Sequence, residues 1–226
     1  MDWLPDFAAA ALAAILAITL HEAAHGYAAL WLGDDTAKQM GRLSLNPIAH
    51  VDPVGTLLVP GLLLVSQLLT TGRVDVMFGW ARPVPVDVMR LRNPRFGMVL
   101  VAAAGPAINI AIATLAALLI HPLLGLGSDN VQDWLRQFLF LSILGNLVLA
   151  CFNLLPIPPL DGGRILGGLL PPSIGIPFLQ LERVGLLLVL GALLILPVAG
   201  YDPFRWLVRT MVQPLGRVIL MLTGHG

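Results

Sequence analysis

The chain has 226 residues, 57% of them hydrophobic and only 12% charged, and its mean hydropathy is +0.85. Ordinary soluble domains carry roughly a quarter charged residues, so the balance excludes that class and marks an integral membrane protein. Thirteen Lys+Arg cancel thirteen Asp+Glu, which leaves no basic excess for nucleic acid, and the single cysteine, Cys151, rules out an internal disulfide.

Taken in chain order, the opening residues carry Asp2 and Asp6 where a signal peptide would be basic, so no such signal is expected there. A bilayer needs about 20 apolar residues per helix, and the charge-free stretches supply the candidates. The first runs from Phe7 to Gly33, interrupted by His21-Glu22-Ala23-Ala24-His25. The others are Val54–Gly72, Phe96–Ser128 with Pro122 near its end, Gln137–Leu160, and Val184–Tyr201. A last piece, Phe204–Leu222, carries Arg205, Arg209 and Arg217 and reads as a weak span or an interfacial helix. The expectation is an all-α polytopic membrane protein of five to six membrane segments forming one domain over 1–226. Its core covers about 7–165 and its C-terminal helices about 166–226.

Arginines set the orientation. Arg73, Arg82, Arg90, Arg92 and Arg95 fall within 73–95, which is therefore expected on the cytoplasmic side. The loop 122–135 has Asp129 and Asp133 but no base, and is expected outside. If the first span runs inward, residues 33–52 and 73–95 share a side, and the segment between them cannot cross once. It is either re-entrant, broken at Pro60-Gly61 into two half-helices against a cavity, or a plain sixth span.

Ionisable residues inside a span are costly and mark function. On a helix, positions 21 and 25 lie one above the other, so both imidazoles reach one metal, and Glu22 lies one residue round, beside the attacking water. This is the HExxH arrangement of zinc hydrolases, with Glu as general base. Catalytic zinc takes three protein ligands and keeps one position open. The candidates for the third are His50, Asp52, His121, Asp161 and His225. Asp161 is the best placed, because the prolines of 154–160 stop the preceding helix and hold an extended arm that presents one carboxylate. Gly162 and Gly163 let that backbone pass close to another group. The residues Gly79 to Val86, kept extended by Pro83 and Pro85, read as a short edge strand that clamps unwound substrate through Val84 and Val86, or else as a loop closing the cavity. Asn109 and Asn146 read as bonds between helices, and Gly105-Pro106 as a site of close helix packing.

With HEAAH in a membrane helix, AAAGPAIN at 102–109 and FNLLPIPPLDGGR at 152–164, the chain resembles the site-2 protease family of intramembrane zinc metalloproteases. GRLSLNPIAHVDPVGT at 41–56 and GWARPVPV at 79–86 resemble further signatures of its compact bacterial members, which lack PDZ or CBS modules. The resemblance implies a three-helix catalytic core in which the first and LDG-bearing helices run parallel with the AGPAIN span antiparallel between them. It implies one zinc ion per chain on His21, His25 and Asp161, Glu22 as catalytic base, and Asn153 holding substrate or the oxyanion. The implied activity is endopeptidase cleavage in or beside transmembrane segments of protein substrates. The implied setting is the plasma membrane of a prokaryote, with the site towards the cytoplasm. Two other classes remain in view: a catalytically silent relative acting as a membrane-protein scaffold, and a metal or proton transporter built on the same residues.

Overall fold

The computed structural model describes residues 3–70, 72, 79–123, 127–196 and 199–225, with the side chains of Trp3, Leu57, Gln67, Thr70, Arg183, Leu186 and Leu194 set aside. Arg73, one of the arginines of the orientation argument, lies outside these residues, as do 124–126 of the acidic loop.

Three helices form the frame. Helix α1 (Trp3–Trp31) is followed by a single turn, α2 (Thr36–Gln39), and by α3 (Val59–Thr70). The long helices α4 (Pro94–Leu123) and α5 (Asp129–Asn153) come next. The chain closes with α6 (Asp161–Leu169), α7 (Pro172–Gln180), α8 (Glu182–Ile195), α9 (Pro203–Leu207) and α10 (Gln213–Leu222). Among the described residues α1, α4 and α5 alone are long and apolar enough to cross a membrane.

This corrects the expectation of five to six membrane segments. Helix α3 has 12 residues, about 18 Å at 1.5 Å per residue, against a hydrocarbon core of about 30 Å. Helix α8, with 14, falls short in the same way. The helical run through 203–222 keeps Arg205, Arg209 and Arg217, which lower its hydropathy. The break at Pro60-Gly61 that the re-entrant alternative called for is also absent. The π-helical turn Pro53–Leu58 passes without a gap into α3 at Val59, so Pro60 and Gly61 lie inside one continuous helical run, and the change of winding comes just before them.

The expected edge strand is a second correction: no strand forms among the described residues. Residues 79–87 run without regular structure. Pro83 and Pro85 remove two of the donors a ladder would use, and the N–H of Val84 is spent on the Glu22 carboxylate at 3.0 Å. Two backbone bonds tie the segment to the stretch between α2 and α3, from Trp80 to the Gly55 carbonyl at 3.1 Å and from Arg82 to the His50 carbonyl at 2.8 Å.

Small residues let the three long helices approach closely. On α1, Ala9, Ala13 and Ala17 are buried at the four-residue spacing that continues to His21, so a stripe of alanines leads to the first histidine. The matching face of α4 carries Val101, Ala102, Gly105, Pro106, Asn109 and Ala113, and that of α5 carries Ser142, Asn146 and Ala150. The pairings fix direction. Trp134 of α5 donates to the Pro5 carbonyl of α1 at 3.0 Å, and Asn109 of α4 lies between Ala17 and Asn146. Towards the other end of α1, His25 meets the Val101 carbonyl. Thus α1 and α5 run parallel and α4 runs against both.

Helix α6 is pinned to α4. Arg95 caps its C-terminal end, donating to the carbonyls of Gly168 (2.6 Å), Leu169 (3.0 Å) and Leu170 (2.6 Å). Arg164 on α6 pairs with Glu182 at the start of α8. These anchors set the depth at which Asp161, the first residue of α6, enters the bundle.

Candidate metal centre

His21 and His25 stand on one face of α1 within its apolar length, and Asp161 opens α6, where the helix dipole favours a carboxylate. Their ligand atoms form a nearly equilateral triangle. Nε2 of His21 and Nε2 of His25 are 3.1 Å apart, and Oδ2 of Asp161 lies 3.2 Å from the first and 3.4 Å from the second. The side chains are only 7%, 12% and 8% exposed, so bulk water does not satisfy them.

The protons on the two imidazoles decide what this triangle is. Nδ1 of His25 lies 2.7 Å from the Val101 carbonyl, which only accepts, so Nδ1 carries the hydrogen. Nδ1 of His21 lies 2.6 Å from Oδ1 of Asn109 and donates in the same way. In the neutral form, with its hydrogen on Nδ1, each ring turns an Nε2 lone pair inward. Oδ2 of Asp161, also buried, has no hydrogen-bond donor. Three unsatisfied acceptors facing one another away from water would be destabilising, and a cation between them removes the conflict. Bonds of about 2.0–2.1 Å around a tetrahedral centre separate neighbouring ligands by about 3.3–3.4 Å. The observed spacings match that within a few tenths of an ångström, and the His-His-Asp donor set suits zinc. The cluster is capable of holding a metal with one position left for a reactant.

Gly105 makes the room. A Cβ there would collide with the imidazoles of both His21 and His25, so the face of α4 opposite the site must be bare. The loop before Asp161 follows a similar logic and corrects the picture of an extended arm. Residues 154–160 curl into consecutive turns, with Ile157 donating to the Leu155 carbonyl at 2.8 Å and Leu160 to the Ile157 carbonyl at 2.9 Å. The loop folds back on the first turn of α6, where a Cβ on Gly162 would strike Leu154 and Leu155, and one on Gly163 would strike Ile157 and Pro158. Asp161 is held by this stacked turn and not at the tip of a strut.

Glu22 is half-buried beside the triangle, its Oε2 receiving the Val84 N–H. Val84 itself is 8% exposed and packs on Gly26 of α1, while Val86 joins the cluster of Ala29, Leu91 and Val101. Residues 79–87 thus cover the Glu22 side of the centre. One η-nitrogen of Arg42 donates to the carbonyls of Arg82 (3.0 Å) and Pro83 (3.4 Å). At the far end, the buried Asp34 accepts from the Asp87 N–H at 2.7 Å. Burial opposes ionisation of Asp34, but hydrogen bonds from the Thr36 side chain and from the backbone of Thr36 and Asp87 outweigh it and hold the carboxyl below its usual range.

Asn153 ends α5, half-buried, with Nδ2 donating to the Leu149 carbonyl of its own helix at 3.0 Å. His50 and Asp52, the alternative ligands, brace the segment between α2 and α3. His50 bonds to the Ser44 carbonyl, and Asp52 accepts from Val54 and Gly55. His121 and His225 stack on each other away from the triangle. Sequence reasoning did not single out Arg42 or Asp34, which lie in polar loops with no spacing signal. It gave Gly105 and Asn109 only a packing role, although their four-residue spacing on an apolar helix puts both on the face that meets the histidines.

The profile of Peptidase family M50 matches residues 121–196. The chain is 40% identical over 213 residues to "Putative zinc metalloprotease YwhC" of Bacillus subtilis (strain 168), covering 89% of this chain and 91% of that protein. It is 30% identical over 199 residues to "Putative zinc metalloprotease Rip2" of Mycolicibacterium smegmatis (strain ATCC 700084 / mc(2)155), covering 85% of this chain and 67% of the relative. No solved structure gives a significant match. A membrane-length three-helix frame, a buried His-His-Asp cluster beside a glutamate, and likeness along nearly the whole of YwhC lead to one conclusion: the chain belongs to Peptidase family M50, the compact bacterial type of site-2 zinc metalloproteases.

Proposed function

We propose that the protein is an intramembrane zinc endopeptidase that hydrolyses peptide bonds within or next to transmembrane segments of membrane proteins. One zinc ion per chain is bound by His21, His25 and Asp161. The observation that carries this reading is the triangle of three inward-facing acceptors spaced 3.1 to 3.4 Å apart within a membrane-length helix bundle.

When bound, zinc supplies Lewis-acid activation of a water molecule and of the scissile carbonyl. Glu22 takes the proton of that water as its oxygen attacks the carbonyl carbon, and then delivers it to the departing amine nitrogen. Asn153, at the end of α5, donates to the developing oxyanion after releasing Leu149. Such donors contribute about 3–4 kcal/mol in other enzymes. The buried histidines hold their Nδ1 hydrogens on Asn109 and Val101, so the ring orientations are in place before substrate arrives.

The substrate must meet two conditions. A helical segment conceals its carbonyls in hydrogen bonds, so it must be unwound locally. It must also reach a centre whose Glu22 is engaged by Val84. Residues 79–87 therefore have to shift before a peptide can lie against Glu22. The same end of the bundle carries Arg82, Arg90, Arg92 and Arg95, which supports a cytoplasmic position for the site in the plasma membrane of a prokaryote.

The test uses the detergent-purified chain. Zinc content near one per chain, lost in Asp161→Ala, together with cleavage of a single-pass transmembrane reporter that Glu22→Gln abolishes, is the expected result. A parent that holds no zinc after resupply, or a Glu22→Gln variant that cleaves like the parent, would overturn the reading.

A further inference from the structure

The two histidines obtain their orientation by different routes. His25 bonds directly to a backbone carbonyl, Val101, which fixes its tautomer without help. His21 has no such partner. Its Nδ1 faces a side-chain amide, Asn109, which would serve equally well with nitrogen or oxygen towards the ring if nothing else held it.

Something else does hold it. Asn109 is fully buried, and its Nδ2 donates to the Ala17 carbonyl of α1 at 3.1 Å and to Oδ1 of Asn146 at 2.7 Å. The Ala17 carbonyl can only accept, so nitrogen must face it and Oδ1 must face His21. Asn146 is 1% exposed, and its Nδ2 donates to the Ser142 carbonyl at 2.8 Å, which leaves its Oδ1 for Asn109. The polarity thus starts at backbone carbonyls that cannot be reversed. It passes through Asn146 to Asn109, and ends as a hydrogen on Nδ1 of His21 with the Nε2 lone pair turned towards Asp161.

We infer that Asn109, aligned by Asn146, is a positioning residue of the metal centre: a side-chain relay spanning α5, α4 and α1 that selects the His21 tautomer able to bind a cation. The inference rests on the metal-binding reading above. Ordinary helix-to-helix bonding by two asparagines would stabilise the bundle and leave metal affinity in the folded protein unchanged. The relay makes affinity depend on one atom, the acceptor opposite Nδ1. Groups that orient metal-ligating histidines typically change affinity about 10–100-fold when removed.

The experiment titrates Co2+ into the metal-free full chain in detergent, against a competing chelator. It follows the visible absorption of the bound ion and checks folding separately by circular dichroism and thermal denaturation. Asn109→Leu keeps approximate volume and removes the acceptor. It is expected to weaken Co2+ binding about 10–100-fold and to alter the absorption bands. Asn109→Asp restores an acceptor for His21 but loses the amide donors to Ala17 and Asn146. It is expected to bind within a few-fold of the parent while melting at a lower temperature. Asn146→Leu leaves the acceptor on Asn109 in place but removes one of the two partners that align it, with the Ala17 carbonyl as its remaining anchor; it is expected to fall between the parent and Asn109→Leu, and it stands in should Asn109→Leu fail to fold. Parental affinity and spectrum in Asn109→Leu, or in Asn146→Leu, would overturn the relay. Equal loss in Asn109→Asp and Asn109→Leu would overturn it too, because affinity would then follow packing and not the acceptor. A parent that takes up no Co2+ would instead overturn the metal-binding reading on which the relay rests.

Discussion

The metal triangle and the segment that covers it are neighbours held by different means. The triangle is fixed from within the bundle: His25 by a carbonyl of α4, His21 by a buried asparagine, and Asp161 by a glycine-stacked turn whose helix is capped by Arg95. Residues 79–87 are tied from outside, by scattered main-chain bonds and by Arg42 and Asp34, which belong to loops. Main-chain bonds between loops open at lower cost than bonds within a close-packed helix interface, which open only when the helices part. The comparison teaches that the triangle is the more firmly fixed of the two.

The largest break in this contrast comes from the triangle itself. Asp161→Ala should reduce bound zinc from about one per chain to near zero by metal analysis, with helical content retained, because two imidazoles alone do not complete a site. Glu22→Gln keeps all three ligands. It should bind zinc normally while the cleavage rate of a transmembrane reporter falls about 10²–10⁴-fold, the usual contribution of a general base. Gly105→Ala sharpens the picture on the rigid side. The added methyl meets both imidazoles with no slack, so zinc affinity should drop and the melting temperature should fall by an amount equivalent to about 1–3 kcal/mol. A fully zinc-loaded, equally stable variant would show that the α4 face is not as tightly engaged as the geometry says. The smallest effect belongs to the cover. Arg42→Gln removes the bond pattern that holds Arg82 and Pro83 and should leave equilibrium zinc content unchanged. Extraction of zinc by a soluble chelator should quicken a few-fold, because release passes through the side that 79–87 obstructs. If extraction is no faster, the cover is not the barrier.

How much of this was legible in the sequence differs element by element. The HEAAH spacing implied a shared helix face for His21 and His25, since a helix returns to the same azimuth every three to four residues. The distant Asp161 could be chosen over His50 or Asp52 because prolines and glycines flank it. The span count was not legible, because apolar stretches such as 54–72 and 184–201 read alike whether they cross the bilayer or end after three or four turns. The strand expected at 79–86 followed local propensity, which cannot show that the Val84 N–H is claimed by a carboxylate more than 60 positions away. Arg42 left no pattern at all.

By itself, then, the sequence determined the membrane class, the chemistry of the candidate ligands and the helical register that pairs two of them, since these depend on residue type and on spacings within one element. Tertiary structure alone decided the rest: how the turn before α6 holds Asp161 beside the two histidines, which ring nitrogen of each imidazole faces a backbone or side-chain acceptor, and what rests against Glu22. Those outcomes depend on atoms brought together from α1, α4, α5 and α6, and a hydrogen bond is settled by distances of a few tenths of an ångström that no local spacing encodes.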